Sequence, residues 1–175
     1  MSASISKGNL LGGSWISRFL DDVGDSTGEV NMNGNYTGPN TGDFKFTVPE
    51  NSILYVYNLI ITIEDQGSLD AGSYGNGVAL TNGLQFGVLR RSGELEATTL
   101  QVPIKTNASW ASYAHDLQVH DFGSGNNTLT VHYNFEREGI PIKIKSGQAL
   151  VLRLSDDFSA LKGHLCKFGG VLVPR

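Results

Sequence analysis

Residues 64–77, EDQGSLDAGSYGNG, set Asp65 and Asp70 in a stretch that also holds Gly72, Gly75 and Gly77. Spaced carboxylates suit a hard cation, and a run of backbone N–H groups suits a phosphate. The spacing fits neither template. An EF-hand loop begun at Asp65 fails at its third, fifth and sixth positions. The glycines read G-x-x-G-x-G, the wrong order for a dinucleotide fingerprint, and no lysine follows to make a P-loop. Two roles stay open. One is an irregular calcium site on Asp65, Asp70 and backbone carbonyls. The other, preferred, is an assembly loop in which Asp65, Leu69, Asp70, Tyr74 and Asn76 meet another subunit. Glycine supplies the backbone freedom for such a tip. At about twelve residues, the stretch is longer than a hairpin needs, and such loops usually bind something or line an interface.

Catalytic patterns are expected to be absent. No G-x-S-x-G elbow occurs, and no Cys–His pair has a family signature. Cys166 follows His164 by two, so a strand would point both to one face, and a buried apolar thiol is the expected role. The acidic pairs Asp21-Asp22, Glu64-Asp65 and Asp156-Asp157 are adjacent, so on a strand each pair diverges and makes no ready acid/base couple. His115 and His120 are five apart, while His132 and His164 stand alone. Zinc clusters use tighter spacing, so these read as polar histidines on exposed strand faces. Neither a metal nor any other cofactor is expected.

These residues sit in a chain of 175, long enough for one domain with a real core. Charged residues are only 17% and glycine numbers 22, which favours strands and loops over charge-coated helices. A net charge of −4 excludes a general nucleic-acid binder, and no basic run suggests an anionic membrane surface. A single cysteine excludes an intrachain disulfide framework. The start, MSASISKGNLLGGSW, lacks a signal-like apolar core, so synthesis in a reducing cytosol is expected and the Asn-x-Ser/Thr matches are read as chance.

Two regions follow from composition. Residues 1–42 are rich in Gly, Asn, Ser and Thr and form an extended N-terminal arm that cannot fold alone. Within it, Trp15, Ile16, Phe19 and Leu20 fall at i, i+1, i+4 and i+5, which predicts one face of a short helix capped by Ser14. Such a stripe must be covered, either by its own domain or by another protein. Residues 43–175 carry the strand signals. DFKFTV alternates, and ILYVYNLIITIE (53–64) reads as a central strand buried on both faces. Asn82-Gly83 marks a hairpin, and TLTVHYNFE turns Leu129, Val131, Tyr133 and Phe135 inward. TTLQVPI, IPIKI, QALVLRLS and KFGGVLV add strands, and TNASWASYAHD (106–116) predicts the one short helix. About eight strands at this spacing indicate an all-β antiparallel sandwich or barrel.

VPENSILYVYNLIITIED, DAGSYGNGVALTNGLQFGV, VPIKTNASWA and LSDDFSAL together resemble small virion proteins of tailed bacteriophages that decorate or cement the capsid. The resemblance spans residues 44 to about 173. It implies a jelly-roll sandwich and a non-enzymatic protein bound to the assembled shell. Its partner would be the major capsid protein, and its location the outer capsid surface, after synthesis in the bacterial cytoplasm. The arm then has a role, with Trp15, Ile16, Phe19 and Leu20 as anchors. Each buried side chain contributes roughly 1.5–3 kcal/mol, against about 1–2 kcal/mol per residue to order the chain. One arm binds weakly and several on one oligomer bind strongly, so a homo-oligomer, a trimer, is expected. The competing expectation is a tail-associated adhesion module of the same fold that binds host glycans, with Tyr74, Trp110 and Tyr113 as stacking surfaces.

Overall fold

The computed structural model describes residues 12–65, 80–100, 114–121, 127–135 and 141–175. These form ten strands: β1 (Ser14–Phe19), β2 (Gly42–Thr47), β3 (Ser52–Asp65), β4 (Leu84–Leu89), β5 (Leu95–Leu100), β6 (Ala114–Asp121), β7 (Asn127–Asn134), β8 (Ile142–Lys145), β9 (Ala149–Leu154) and β10 (Gly163–Pro174). All pairings are antiparallel. One sheet runs β1-β10-β3-β7-β6, with β8 also on β3, and the other runs β2-β9-β4-β5. The two form a sandwich.

Directly opposed residues in antiparallel strands share a face, so the register sorts side chains into layers. On the larger sheet, Cys166–Ile61–Val131 and Phe168–Leu59–Tyr133 form rows across β10, β3 and β7. All six are buried. The smaller sheet answers with Phe44, Phe46, Leu84, Phe86, Leu150, Leu152 and Leu154. Phe46 and Phe168 meet between the sheets at a centroid distance of 5.1 Å.

A bulge at Tyr57 resets the alternation of β3. Gly169 and Gly170 of β10 pair with Asn58 and Val56, skipping Tyr57. Leu54 and Val56 face the core before the bulge, and Leu59, Ile61 and Ile63 after it. One extra residue inverts the two-residue period, which is what a bulge does. The partner of β3 changes at the same place. Ile53–Val56 pair with β8 and Asn58–Asp65 with β7, while the Phe135 N–H donates to the Tyr57 carbonyl at 2.9 Å. The expectation that this strand is buried on both faces is therefore corrected. Tyr55, Tyr57, Asn58, Ile60, Thr62 and Glu64 remain half-buried on the outside.

The stripe at residues 15–20 is a strand, not a helix. β1 pairs along β10 from Ser14↔Leu172 to Phe19↔Lys167. A helix of so few residues is marginal alone, whereas the open edge of β10 satisfies every second backbone group at once. Beyond β1, the described part of the leader lies on the sandwich instead of extending from it. Leu20 and Met32 are fully buried, and their N–H groups donate to the carbonyls of Cys166 and His164 at 3.0 and 2.7 Å. Tyr36 sets its ring against Phe44 and Phe158, at 5.6 and 6.1 Å. The predicted helix at 106–116 is corrected where it is described. Ala114 to Asp116 begin β6, and residues 106–113 lie outside the described residues.

Asn82-Gly83 does not join two described strands either; it wraps a carboxylate. Asp156, 6% exposed, accepts from the N–H groups of Thr81, Asn82 and Gly83 at 3.0, 2.9 and 3.0 Å. The Asn82 side-chain amide adds a fourth bond at 3.2 Å. Asp156→Ala leaves three backbone N–H groups and one side-chain amide without this acceptor and is expected to cost about 1.5–3 kcal/mol. Asp156→Asn, which keeps one acceptor oxygen, should cost less. Urea denaturation of the two variants checks that order.

Candidate functional site

The four leader residues are separated by the strand. Register places Trp15 and Phe19 on the outer face of the larger sheet, and Ile16 opposite Gly170 on the inner face. Leu20 is wholly inside, so it cannot anchor to another protein, while Trp15 is 53% exposed. Asp65 ends β3 across from Asn127 and is buried. Leu69, Asp70, Tyr74 and Asn76 lie outside the described residues, as do Trp110 and Tyr113.

His164 and Cys166 both face the core and are buried, so His164 is not the exposed histidine its isolation suggested. Its ring stacks on Phe158 at 5.2 Å. Burial pushes its pKa down to about 4, outweighing a hydrogen bond with the Met32 backbone that acts the other way. Burial pushes the Cys166 thiol far up, which removes the thiolate a nucleophile needs. Among the described residues, no three His, Cys, Asp or Glu side chains gather as a metal set.

Among the described residues, two solvent-facing features stand out. A cleft of about 560 Å³ lies between β4–β5 and β8, with Phe86, Ala97 and Ile142 among its apolar lining. Its size is that of a small-molecule site. Of its charged lining residues, Arg90 and Glu96 are joined at 2.6 Å, and Lys143 and Lys145 of β8 border it as well.

The second feature is the outer face of the larger sheet. One cross-strand row reads Trp15–Val171–Tyr55–Lys143, and another reads Phe19–Lys167–Ile60–His132. Between them runs Ser17–Gly169–Asn58–Asn134. Gly169 is a floor for the tryptophan: a Cβ there would lie 2.9 Å from Trp15 Cζ2 and 2.5 Å from Asn58 Oδ1. Trp15 thereby lies over the sheet beside Tyr57, with ring centroids 6.0 Å apart and planes 31° apart. Lys143 stands 5.7 Å from the Tyr55 ring and Lys167 5.6 Å from that of Phe19. A shallow hollow of about 250 Å³ opens between Phe19, Glu29, Ile60, Thr62, Leu165 and Lys167. This face offers aromatic stacking and positive charge, which is equipment for adhesion.

Sequence reasoning singled out Trp15 and Phe19 but missed Tyr55, Tyr57, Lys143 and Lys167. A signal was present in YVYN and IKIK, where aromatic or charged side chains alternate with core aliphatics. Comparison with protein-family models, with curated proteins and with solved structures finds no match for this chain.

Proposed function

We propose that this chain is a non-enzymatic structural protein of a tailed-phage virion, which decorates and stabilises the capsid by binding the assembled shell as a homo-oligomer. Its fold is a jelly roll, and its partner on the outer capsid surface is the major capsid protein. The observation that carries the proposal is strand order. β1-β10-β3-β7 faces β2-β9-β4-β5, so that successive strands alternate between the sheets in the first half and return beside them in the second. That order supports a reading as two interlocked Greek keys, an arrangement found in viral capsid proteins as well as lectin domains. Of the phrases that resemble phage virion proteins, the described parts lie in β3, in β4 and in the turn before β10, while VPIKTNASWA lies outside the described residues. Fold order alone does not select a function; together with that resemblance it favours a shell component. Several copies on one oligomer would engage neighbouring shell subunits together and gain in avidity.

A second reading, a tail-associated module for host glycans, draws on the Trp15–Tyr57 pair beside Asn58, since exposed rings can stack on sugars. Intact particles separated into heads and tails distinguish the two. The proposal expects the chain in the head fraction, in fixed ratio to the shell protein. Its presence only on tails, with glycan binding by the isolated chain, favours the second reading.

A further inference from the structure

We infer that the outer face of the β1-β10-β3-β8/β7 sheet is the docking surface, and that it receives an acidic patch on the surface of a different protein. Resting on the proposed function, that partner is the shell protein. Three observations define the occupant. The face is the broad side of a sheet, shaped for another protein surface more than for a small ligand. Trp15, on the edge strand β1, is 53% exposed and leans over the glycine floor of β10 towards Tyr57. Accessible Trp and Tyr side chains are enriched among those that dominate protein interfaces. The charge is one-sided. Lys143, Lys145 and Lys167 share this face, since they lie opposite Tyr55, Ile53 and Ile60. None of the three meets a carboxylate within ion-pair distance among the described residues.

Among the described residues, three acidic groups border this face. Glu64 is held by Lys162 at 2.7 Å, Glu29 borders the hollow beside Lys167, and register sets Asp116 next to His132 at the β6 edge. Among the described residues, three lysines that lack a carboxylate partner therefore gather on this face of a chain whose net charge is −4. Complementary charge fixes partner and orientation more than raw affinity. The same one-sidedness disfavours a second copy applied face to face, because lysines would meet lysines across the contact.

The test uses the full chain, the triple variant K143E/K145E/K167E and Trp15→Ala. Each is titrated against purified phage heads lacking the protein and against immobilised poly-L-glutamate, with sedimentation velocity of the chain alone. The triple variant alters exposed or half-exposed positions, so it reports even if Trp15→Ala perturbs β1. The inference expects both variants to bind heads about tenfold or more weakly. It also expects a smaller loss with added salt for the triple variant than for the parent. Heads bound equally by all three forms would overturn the surface and leave the function standing. Should no form bind heads, the functional proposal fails and poly-glutamate decides the surface: binding lost on charge reversal and weakened by Trp15→Ala supports it, and unchanged or absent binding overturns it. Self-association abolished by Trp15→Ala, with heads bound normally, would assign the face to a second copy and overturn the inference.

Discussion

Truncation of Leu20 to alanine is expected to lower the stability of the folded chain by about 2–5 kcal/mol, and Met32→Ala by a similar amount. Both side chains are fully buried and belong to the single core cluster that spans the two sheets. Whole domains are stable by only about 5–15 kcal/mol, so the double variant approaches global unfolding. Deletion of residues 1–42 should go further. It removes β1 from the edge of β10, strips the backbone partners of Cys166 and His164, and opens the core where Leu20 and Met32 sat. A bare hydrophobic edge strand also invites aggregation. Circular dichroism melting and solubility of the truncated chain measure this. An unchanged melting temperature would make the leader an appendage and contradict the packing described here.

Acid should destabilise the chain through His164. Its ordinary value of 6.5 applies to the unfolded chain, and in the fold burial lowers it to about 4. Above pH 6.5 both states hold the ring neutral and the fold keeps its full stability. As pH falls from 6.5 towards 4, the unfolded chain takes up a proton that the folded chain refuses, and stability falls. The window of about 2.5 units corresponds to roughly 3 kcal/mol at 1.36 kcal/mol per unit. Ile63 lies across the register, Phe158 against the ring and Asn31 at its backbone, and none of these three carries charge. Urea midpoints at pH 7, 5.5 and 4 should decline for the parent. His164→Gln should start lower at pH 7 and decline less, since it has nothing to protonate. Parallel slopes for parent and variant would remove His164 as the cause.

How much of this was legible beforehand depends on which interaction decides each element. Alternation reports one-sided burial directly, so β2 and β7 were readable from Phe44/Phe46 and Leu129/Val131/Tyr133, whereas β9, buried at Ala149, Leu150, Val151 and Leu152, was readable from its continuous apolar run. The central strand misled because Tyr55, Tyr57 and Ile60 are large, and apolar character alone does not tell a core residue from an exposed platform. The bulge added to this by changing the parity within one run of residues. β1 was invisible for another reason. Six residues with Trp15, Ile16 and Phe19 fit a helical stripe as well as a strand, and the choice was made by the far end of the chain, β10. Asn82-Gly83 looked like a hairpin, yet its conformation answers a carboxylate more than seventy residues away. The lysine–aromatic face required the register of four strands. Only their pairing brings Lys143 to Tyr55 and Lys167 to Phe19.

The central claim is that this sandwich binds an assembled capsid. Adding purified chain to heads that lack it, and following sedimentation with the heads across concentration, tests that claim most directly. Saturable binding at a fixed ratio to the shell protein, competed by unlabelled chain and accompanied by greater resistance of the heads to heat, is the predicted result. Heads that sediment bare at saturating chain, with their heat resistance unchanged, would contradict it.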